Sequence, residues 1–296
     1  MPLFSSIEET QDRLASTGYL VDEDLATIVY LADALEKPLL LEGPAGTGKT
    51  ELAKAAAAST GAALIRLQCY EGLDEARALY EWNYRKQLLQ IQAEQAGEPG
   101  TNGAPAWHAL HDDIFSEEFL LSRPLLAAIR HDGPVVLLVD EVDKADVEIE
   151  GLLLEILSDF QVTIPELGTI QATQKPFVVL TSNASRELSE ALKRRCLHAH
   201  MDYPDAVLER AIVMSRVPDI AENVATDIVR TVRAMRTLDM RKAPSVAETI
   251  DWARALRAVG APELTDAFVR KTLGVVLKHE HDRAKARDHL RLEVGS

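Results

Sequence analysis

At 296 residues, 47% of them hydrophobic but only 5% aromatic, the chain is long enough to bury one large core or two modest ones, and its 27% charged content is not that of a disordered segment. A formal net charge of −15 argues against a general nucleic-acid binder, which needs a basic footprint, while leaving room for a local basic patch. Two cysteines, Cys69 and Cys196, stand far apart without CxxC or Cys/His ligand spacing, so free thiols in a reducing, cytoplasmic setting are expected.

The opening stretch, MPLFSSIEETQDRL, has neither a basic start nor a long apolar core, so no secretory signal is expected. Residues 5–17 and 22–36 are predicted helices, the second opened by Asp22 and carrying Leu25, Ile28, Val29 and Leu31. PLLLEG (38–43) predicts a short buried strand, KTELAKAAAAST (49–60) a helix closed by Gly61, and ALIRLQC (63–69) a second strand. EARALYEWNYRKQLLQIQAEQ (75–95) reads as the core of a helical insertion over about 75–115, with the Gly- and Pro-rich 96–108 as its loop. PVVLLVD (134–140) is a buried strand of strand length, too short to cross a membrane, so no stable membrane insertion is expected. A helix through Leu157 follows, then a hairpin excursion over about 160–175 feeding another buried strand that ends in VVLTSN (178–183). CLHAHMDYP is a last short strand, and from Pro204 the text is helical, broken near Pro218, Pro244 and Gly260. Alternating strands and helices imply an α/β unit with a parallel sheet over 1–203, followed by a small all-α unit over 204–296.

GPAGTGKT (43–50) satisfies G-x-x-x-x-G-K-[ST] and falls between a predicted strand and a predicted helix, the context that separates a phosphate loop from a chance match. Gly43, Gly46 and Gly48 let the backbone curl with its N–H groups inward, and the helix start adds partial positive charge. Pro44, Ala45, Thr47 and Glu51 complete the run expected to contact a nucleotide such as ATP. Lys49 is expected to reach the β- and γ-phosphates, and Thr50 to hold Mg²⁺ through its hydroxyl. The bland alternative is a glycine-rich turn with no ligand.

An acidic pair at the end of a second buried strand completes such a site. Asp140 is expected to bind Mg²⁺ through water, and Glu141 to orient and polarise an attacking water, which favours hydrolysis over transfer to a hydroxyl. The alternative is an ordinary acidic strand end. Asp143, Lys144 and Asp146 just beyond are expected to be solvated or to contact another subunit. Asn183, at the end of VVLTSN, is expected to hydrogen-bond the attacking water or the γ-phosphate, its plain role being a turn former. In ALKRRC (191–196), Arg194 and Arg195 fit a solvated surface, a cap on the preceding helix's carbonyls, or a phosphate ligand.

GPAGTGKT, VVLLVDEVDKAD and VVLTSN, in this order and followed by a helical third, resemble the Walker A, Walker B and sensor 1 motifs of the AAA+ ATPases, over about residues 18–275. The insertion and the VTIPELGTIQATQ excursion are similar to those of the MoxR branch, and LDMRKAPSVAETIDWARAL (238–256) is similar to its CoxD-like members. The resemblance implies a P-loop NTPase core with a helical lid, ATP and Mg²⁺ as cofactors, and a ring, most often a hexamer. It also implies Arg195, with Arg194 behind it, as a finger reaching the neighbouring subunit's γ-phosphate. The clients implied are proteins, such as a metalloenzyme in maturation (a molybdenum–copper carbon monoxide dehydrogenase for CoxD-like members), with a von Willebrand factor A domain protein as partner. One departure stands out: Ser245 occupies the region where a second sensor arginine is often found, so either Arg241 or Lys242 supplies that charge from just before the helix or the role is lost.

Other features are weaker. His198/His200 and His279/His281 lack an evident third ligand. The terminal HEHDRAKARDHLRLE reads as a solvated helix. Trp82, Tyr84 and Trp107 read as core, with a client-facing role as the sharper option. Two competing functions stay open: a DNA-associated AAA+ protein related to clamp loaders or helicases, and a stand-alone phosphotransferase needing no neighbour.

Overall fold

A computed structural model describes residues 2–97, 114–260 and 263–293. Two helices open the chain, α1 (Ile7–Ser16) and α2 (Glu23–Ala34), capped by Ser6 and Asp22, whose side chains accept from the N–H groups of Glu9 and Leu25. Strand β1 (Leu39–Glu42) leads into helix α3 (Lys49–Thr60), which stops at Gly61 in the left-handed region. Then come β2 (Ala63–Gln68), α4 (Glu75–Ala78), β3 (Tyr80–Trp82), α5 (Tyr84–Gly97), β4 (Leu120–Ser122) and α6 (Pro124–Ile129). Strand β5 (Val135–Asp140), α7 (Val147–Asp159), the hairpin β6 (Gln161–Ile164) and β7 (Gly168–Gln171), β8 (Phe177–Ser182), α8 (Glu190–Arg195) and β9 (Leu197–His200) follow. The C-terminal region is α9 (Ala206–Arg216), α10 (Glu222–Arg236), α11 (Val246–Ala258), α12 (Asp266–Val276) and α13 (Glu280–Glu293).

Five strands form one parallel sheet in the order β2-β5-β8-β1-β9. Both β5 and β8 are buried along their whole length, as strands covered on two faces must be, and this explains their unbroken apolar text. Successive side chains leave a strand on opposite faces. Leu40, Leu137, Val139, Val178 and Leu180 therefore join a core with α6 and α7, while Leu39, Leu41, Val136, Leu138 and Val179 join another with α1, α2 and α3. A third core lies within the C-terminal helices, around the fully buried Trp252, whose indole N–H donates to Thr272 Oγ1 at 2.8 Å.

The predicted helix over 75–95 is interrupted. Tyr80–Trp82 is extended and pairs antiparallel with Leu120–Ser122. The aromatic ends of that tripeptide favour a strand, and Trp82 is buried edge-to-face against Tyr80 and Phe115, at 6.4 and 5.2 Å between centroids. Cross-strand packing here outweighs helical continuity. Trp82 is thus a core residue, Tyr84 is exposed, and Trp107 lies outside the described residues.

Candidate functional site

Parallel α/β sheets bind ligands beyond the carboxyl ends of their strands. A cleft of about 1130 Å³ opens there in this protein. Its lining includes Ala45–Glu51, Arg66, Gln68, Asp140, Glu141, Thr181 and Asn183, with Tyr19–Asp22, His198–Asp205 and the first turn of α11 around the rest.

The 43–50 loop is shaped by contacts that only glycine permits. Gly43 has φ +150°, and a Cβ there would stand 2.1 Å from the Met201 carbonyl oxygen. Gly46 has φ +79°, and its Cβ would stand 2.2 Å from Ser245 Cβ. Helix α3 starts without a side-chain cap, so its first N–H groups are available to an anion. Tyr19 donates its hydroxyl to the Gly48 carbonyl at 3.1 Å, and burial, aided by Glu51 and Asp22, pushes its phenol well above the usual range. The Lys49 ammonium is buried and donates to the Gly43 and Pro44 carbonyls, both at 2.7 Å. Burial holds its pKa below the ordinary value, against the pull of Asp143, Asp140 and Glu141.

The acidic end is a connected network. Asp140 Oδ1 accepts from Thr50 Oγ1 at 2.9 Å and from Thr181 Oγ1 at 2.6 Å, while Oδ2 accepts from Arg66 Nη2 at 2.5 Å. Glu141 has φ +57°, and its N–H donates to Thr181 Oγ1 at 2.9 Å. Its carboxylate accepts from Lys144 Nζ at 2.7 Å, Gln68 Nε2 at 3.0 Å and Asn183 Nδ2 at 3.4 Å. Asp143 is buried rather than solvated, accepting from the N–H groups of Asn183 and Ser185 and from the Ser185 hydroxyl. Burial raises its pKa, but those donors outweigh it and leave the carboxyl below its ordinary value. Lys144 is tied to Glu141, and Asp146 accepts from the Gly72 N–H, so neither is simply solvated.

The loop from Ala45 to Glu51 and Asp140, Glu141 and Asn183 therefore converge on one cleft, with Gly43 and Pro44 at its base holding Lys49. The oxygen-only donors of Thr50 and Asp140 suit a hard cation such as Mg²⁺, and the loop that a Cβ would block suits a phosphate chain. Arg194 and Arg195 do not join the cleft of their own chain. Both are exposed on α8, where Arg195 donates to Ser158 Oγ at 2.8 Å and to the Ala191 carbonyl at 3.2 Å. Arg241 and Lys242 do not line it either; their backbone N–H groups are held by Asp282 at 2.9 and 3.2 Å. Asp282 is thus buried, contrary to a wholly solvated terminal helix. Ser245 caps α11 in a reciprocal box with Glu248, and the Val246 N–H donates to the Gly46 carbonyl at 3.3 Å. His198 pairs with Glu42 at 2.7 Å and His200 with Asp202 at 3.3 Å. Among the described residues, no three His, Cys, Asp or Glu side chains gather as a metal group.

Sequence reasoning missed Arg66, Gln68 and Thr181. The signal for Arg66 and Gln68 was a pair of polar residues at i and i+2 near the carboxyl end of β2, next to β5, where both side chains share a face; for Thr181 it was a hydroxyl near the end of the buried β8.

The AAA domain of the dynein-related subfamily matches residues 38–196. An uncharacterised protein of Staphylococcus haemolyticus is 24% identical over 229 residues, 75% of this chain and 76% of that one. The chaperone protein ClpB 2 of Parasynechococcus marenigrum is 32% identical over 147 residues, 49% of this chain but only 13% of that chaperone. Among solved structures, a point mutant of Thermotoga maritima RuvB superimposes with a TM-score of 0.50 at 17% identity, covering 92% of this chain and 71% of that one. That likeness is one of fold, the P-loop NTPase arrangement of a parallel sheet between helices followed by a helical region. No helix among the described residues is long and apolar enough to cross a membrane.

Proposed function

The chain belongs to the AAA+ ATPases, and from that premise we propose that it hydrolyses ATP with Mg²⁺ as a ring-forming motor that remodels a protein client. The observation that carries this reading is the convergence of Lys49, Thr50, Asp140, Glu141 and Asn183 on one cleft, with Thr50 and Asp140 in direct hydrogen bond.

In this reading residues 1–203 form the nucleotide-binding domain and 204–296 the lid. Residues 43–51 cradle the phosphates, and Lys49 exchanges its two carbonyl partners for phosphate oxygens. Thr50 and Asp140 hold Mg²⁺, which when bound neutralises charge on the phosphate oxygens. Glu141 takes the proton of the attacking water, and Asn183, already on that carboxylate, fixes the water's place. Arg195, exposed at the end of α8, serves the neighbouring subunit's site with Arg194 beside it, most simply in a hexamer. The description of ClpB as a chaperone supports a protein client. The MoxR and CoxD-like resemblance narrows that client to a metalloenzyme in maturation, such as a molybdenum–copper carbon monoxide dehydrogenase, and adds a von Willebrand factor A domain partner. Ser245, close against Gly46, stands where a second sensor arginine is often found, and either Arg241 or Lys242 supplies that charge from before α11 or the role is lost.

A DNA-acting reading is raised by the description of Thermotoga RuvB as a Holliday junction branch migration motor. The net charge of −15 weighs against it, and salt-sensitive retention on DNA is its signature. The test of the main reading is the Glu141→Gln variant. It is expected to bind Mg²⁺–ATP and lose hydrolysis by about 10²–10⁴-fold, the usual worth of a general base. Undiminished turnover would remove Glu141 from the chemistry.

A further inference from the structure

Arg66 belongs to none of the motifs that make the phosphate site, yet it reaches the centre of it. It projects from β2 on the same face as Gln68, which lies in register with Asp140 across the sheet. Its guanidinium donates to Asp140 Oδ2 at 2.5 Å and also to Gln68 Oε1. The other Asp140 oxygen already accepts from two hydroxyls, those of Thr50 and Thr181. Oδ2 is therefore the oxygen that carries the unshared charge, and Arg66 is the cation standing on it.

The charges around this end of the cleft sort into distinct pairings. Glu141 is matched by Lys144, and Asp143 by backbone N–H groups and the Ser185 hydroxyl. Asp140, with a side chain only 3% exposed, has Arg66 as its ion-pair partner among the described residues. A buried carboxylate is costly without a cation, so the pair is needed whenever no other cation is present. The Arg66 side chain, by contrast, is 47% exposed and lines the cleft, so it can leave Asp140 without being buried elsewhere.

We propose that Arg66 is a positioning residue that sets the metal dependence of nucleotide binding. It neutralises the Asp140 carboxylate before the metal arrives and competes with the divalent cation for it. Binding of Mg²⁺ with a nucleotide is then an exchange of cations on Asp140. Without Mg²⁺, the same guanidinium offsets phosphate charge inside the cleft. This inference rests on the reading of the cleft as a nucleotide–Mg²⁺ site.

Both effects push one ratio in the same direction: the Kd for ADP in EDTA divided by the Kd for ADP in Mg²⁺, read by calorimetry without any turnover. Replacing Arg66 by an uncharged residue removes the competitor from Asp140 and the counter-charge from the phosphates. The ratio is expected to rise about two- to fivefold in Arg66→Met, the scale of one partly exposed charge pair. Arg66→Gln, which keeps a neutral donor at the position, is expected to raise it likewise, and Arg66→Lys to return it toward wild type. Arg66 is half-exposed on an edge strand, so these changes leave both sheet cores intact. Mn²⁺ binding to the nucleotide-free protein, followed by electron paramagnetic resonance, gives a second readout, expected to be tighter in Arg66→Met. A ratio that stays the same or falls in Arg66→Met and Arg66→Gln overturns the role of Arg66 while leaving the nucleotide site standing. Failure of the wild-type chain to bind ADP in either condition overturns the site reading and this inference together.

Discussion

Replacing Gly46 by alanine probes the joint between the phosphate loop and the C-terminal helices. Two costs are separable from the geometry. At φ +79° an alanine adopts a left-handed backbone, costing about 1–2 kcal/mol. Its Cβ would also stand 2.2 Å from Ser245 Cβ and 2.6 Å from Ser245 Oγ, so α11 must retreat by more than an ångström to reach ordinary contact. Overpacking of that kind costs about 1–3 kcal/mol. Gly46→Ala alone is therefore expected to lose about 2–5 kcal/mol of folding stability. Ser245→Gly alone removes a cap and should cost only a few tenths of a kcal/mol. The double variant removes both atoms that the new Cβ meets, so only the backbone cost and the cap loss should persist. The cycle is then non-additive by about 1–3 kcal/mol in the stabilising direction. Urea unfolding of the four proteins measures this, and hydrogen exchange at 244–249 locates it. Costs that add within about 0.5 kcal/mol would refute the contact between Gly46 and Ser245.

Acid should unfold the protein through the same groups that order its loops. Asp143 and Asp282 are held below the ordinary 3.8, and Glu150 and Glu248 below 4.5; in each, burial opposes the shift and hydrogen bonds or ion partners outweigh it. In the window between each lowered value and its ordinary one, the unfolded chain binds more protons, so stability rises with pH there. It is present in full above the ordinary values and lost as pH falls through the folded ones. The urea midpoint should therefore drop as pH falls below about 4.5, less steeply in Asp143→Asn, and a flat acid limb would contradict the assignment. Arg236→Ala should cost about 3–5 kcal/mol in urea unfolding, because it leaves the fully buried Glu209 without its two-pronged partner. Arg236→Met combined with Glu209→Leu should recover most of that loss; equal losses in the single and double variants would mean packing, not charge, holds the pair.

Much of this was legible in the text because a parallel sheet writes itself plainly. Strands buried on both faces give unbroken runs such as VVLLVD, and the phosphate loop has a spacing that few other structures need. Less legible was whatever depends on partners distant in sequence. YEW sits in a helix-like stretch and becomes a strand only through pairing with Leu120–Ser122. Asp143 looks like a solvated charge until the loop after β8 folds over it, and Asp282 until residues 241 and 242 dock on it. Arg66 announces nothing by itself, since its meaning comes from Asp140, which is 74 positions away. Arg195 is the reverse case: its role was inferred from a resemblance, and within one chain it rests on Ser158, outside the cleft.

The shared site is the central claim, and ATP hydrolysis per chain tests it most directly, measured on dilution and on mixing two inactive variants. Arg195→Ala chains keep an intact Lys49 loop, and Lys49→Ala chains keep an intact arginine. If each site takes its arginine from a neighbour, specific activity should collapse as the protein is diluted below assembly, and mixing the two variants should restore part of what each lacks alone. Activity that is independent of concentration, with no gain on mixing, would contradict the ring and the motor built on it.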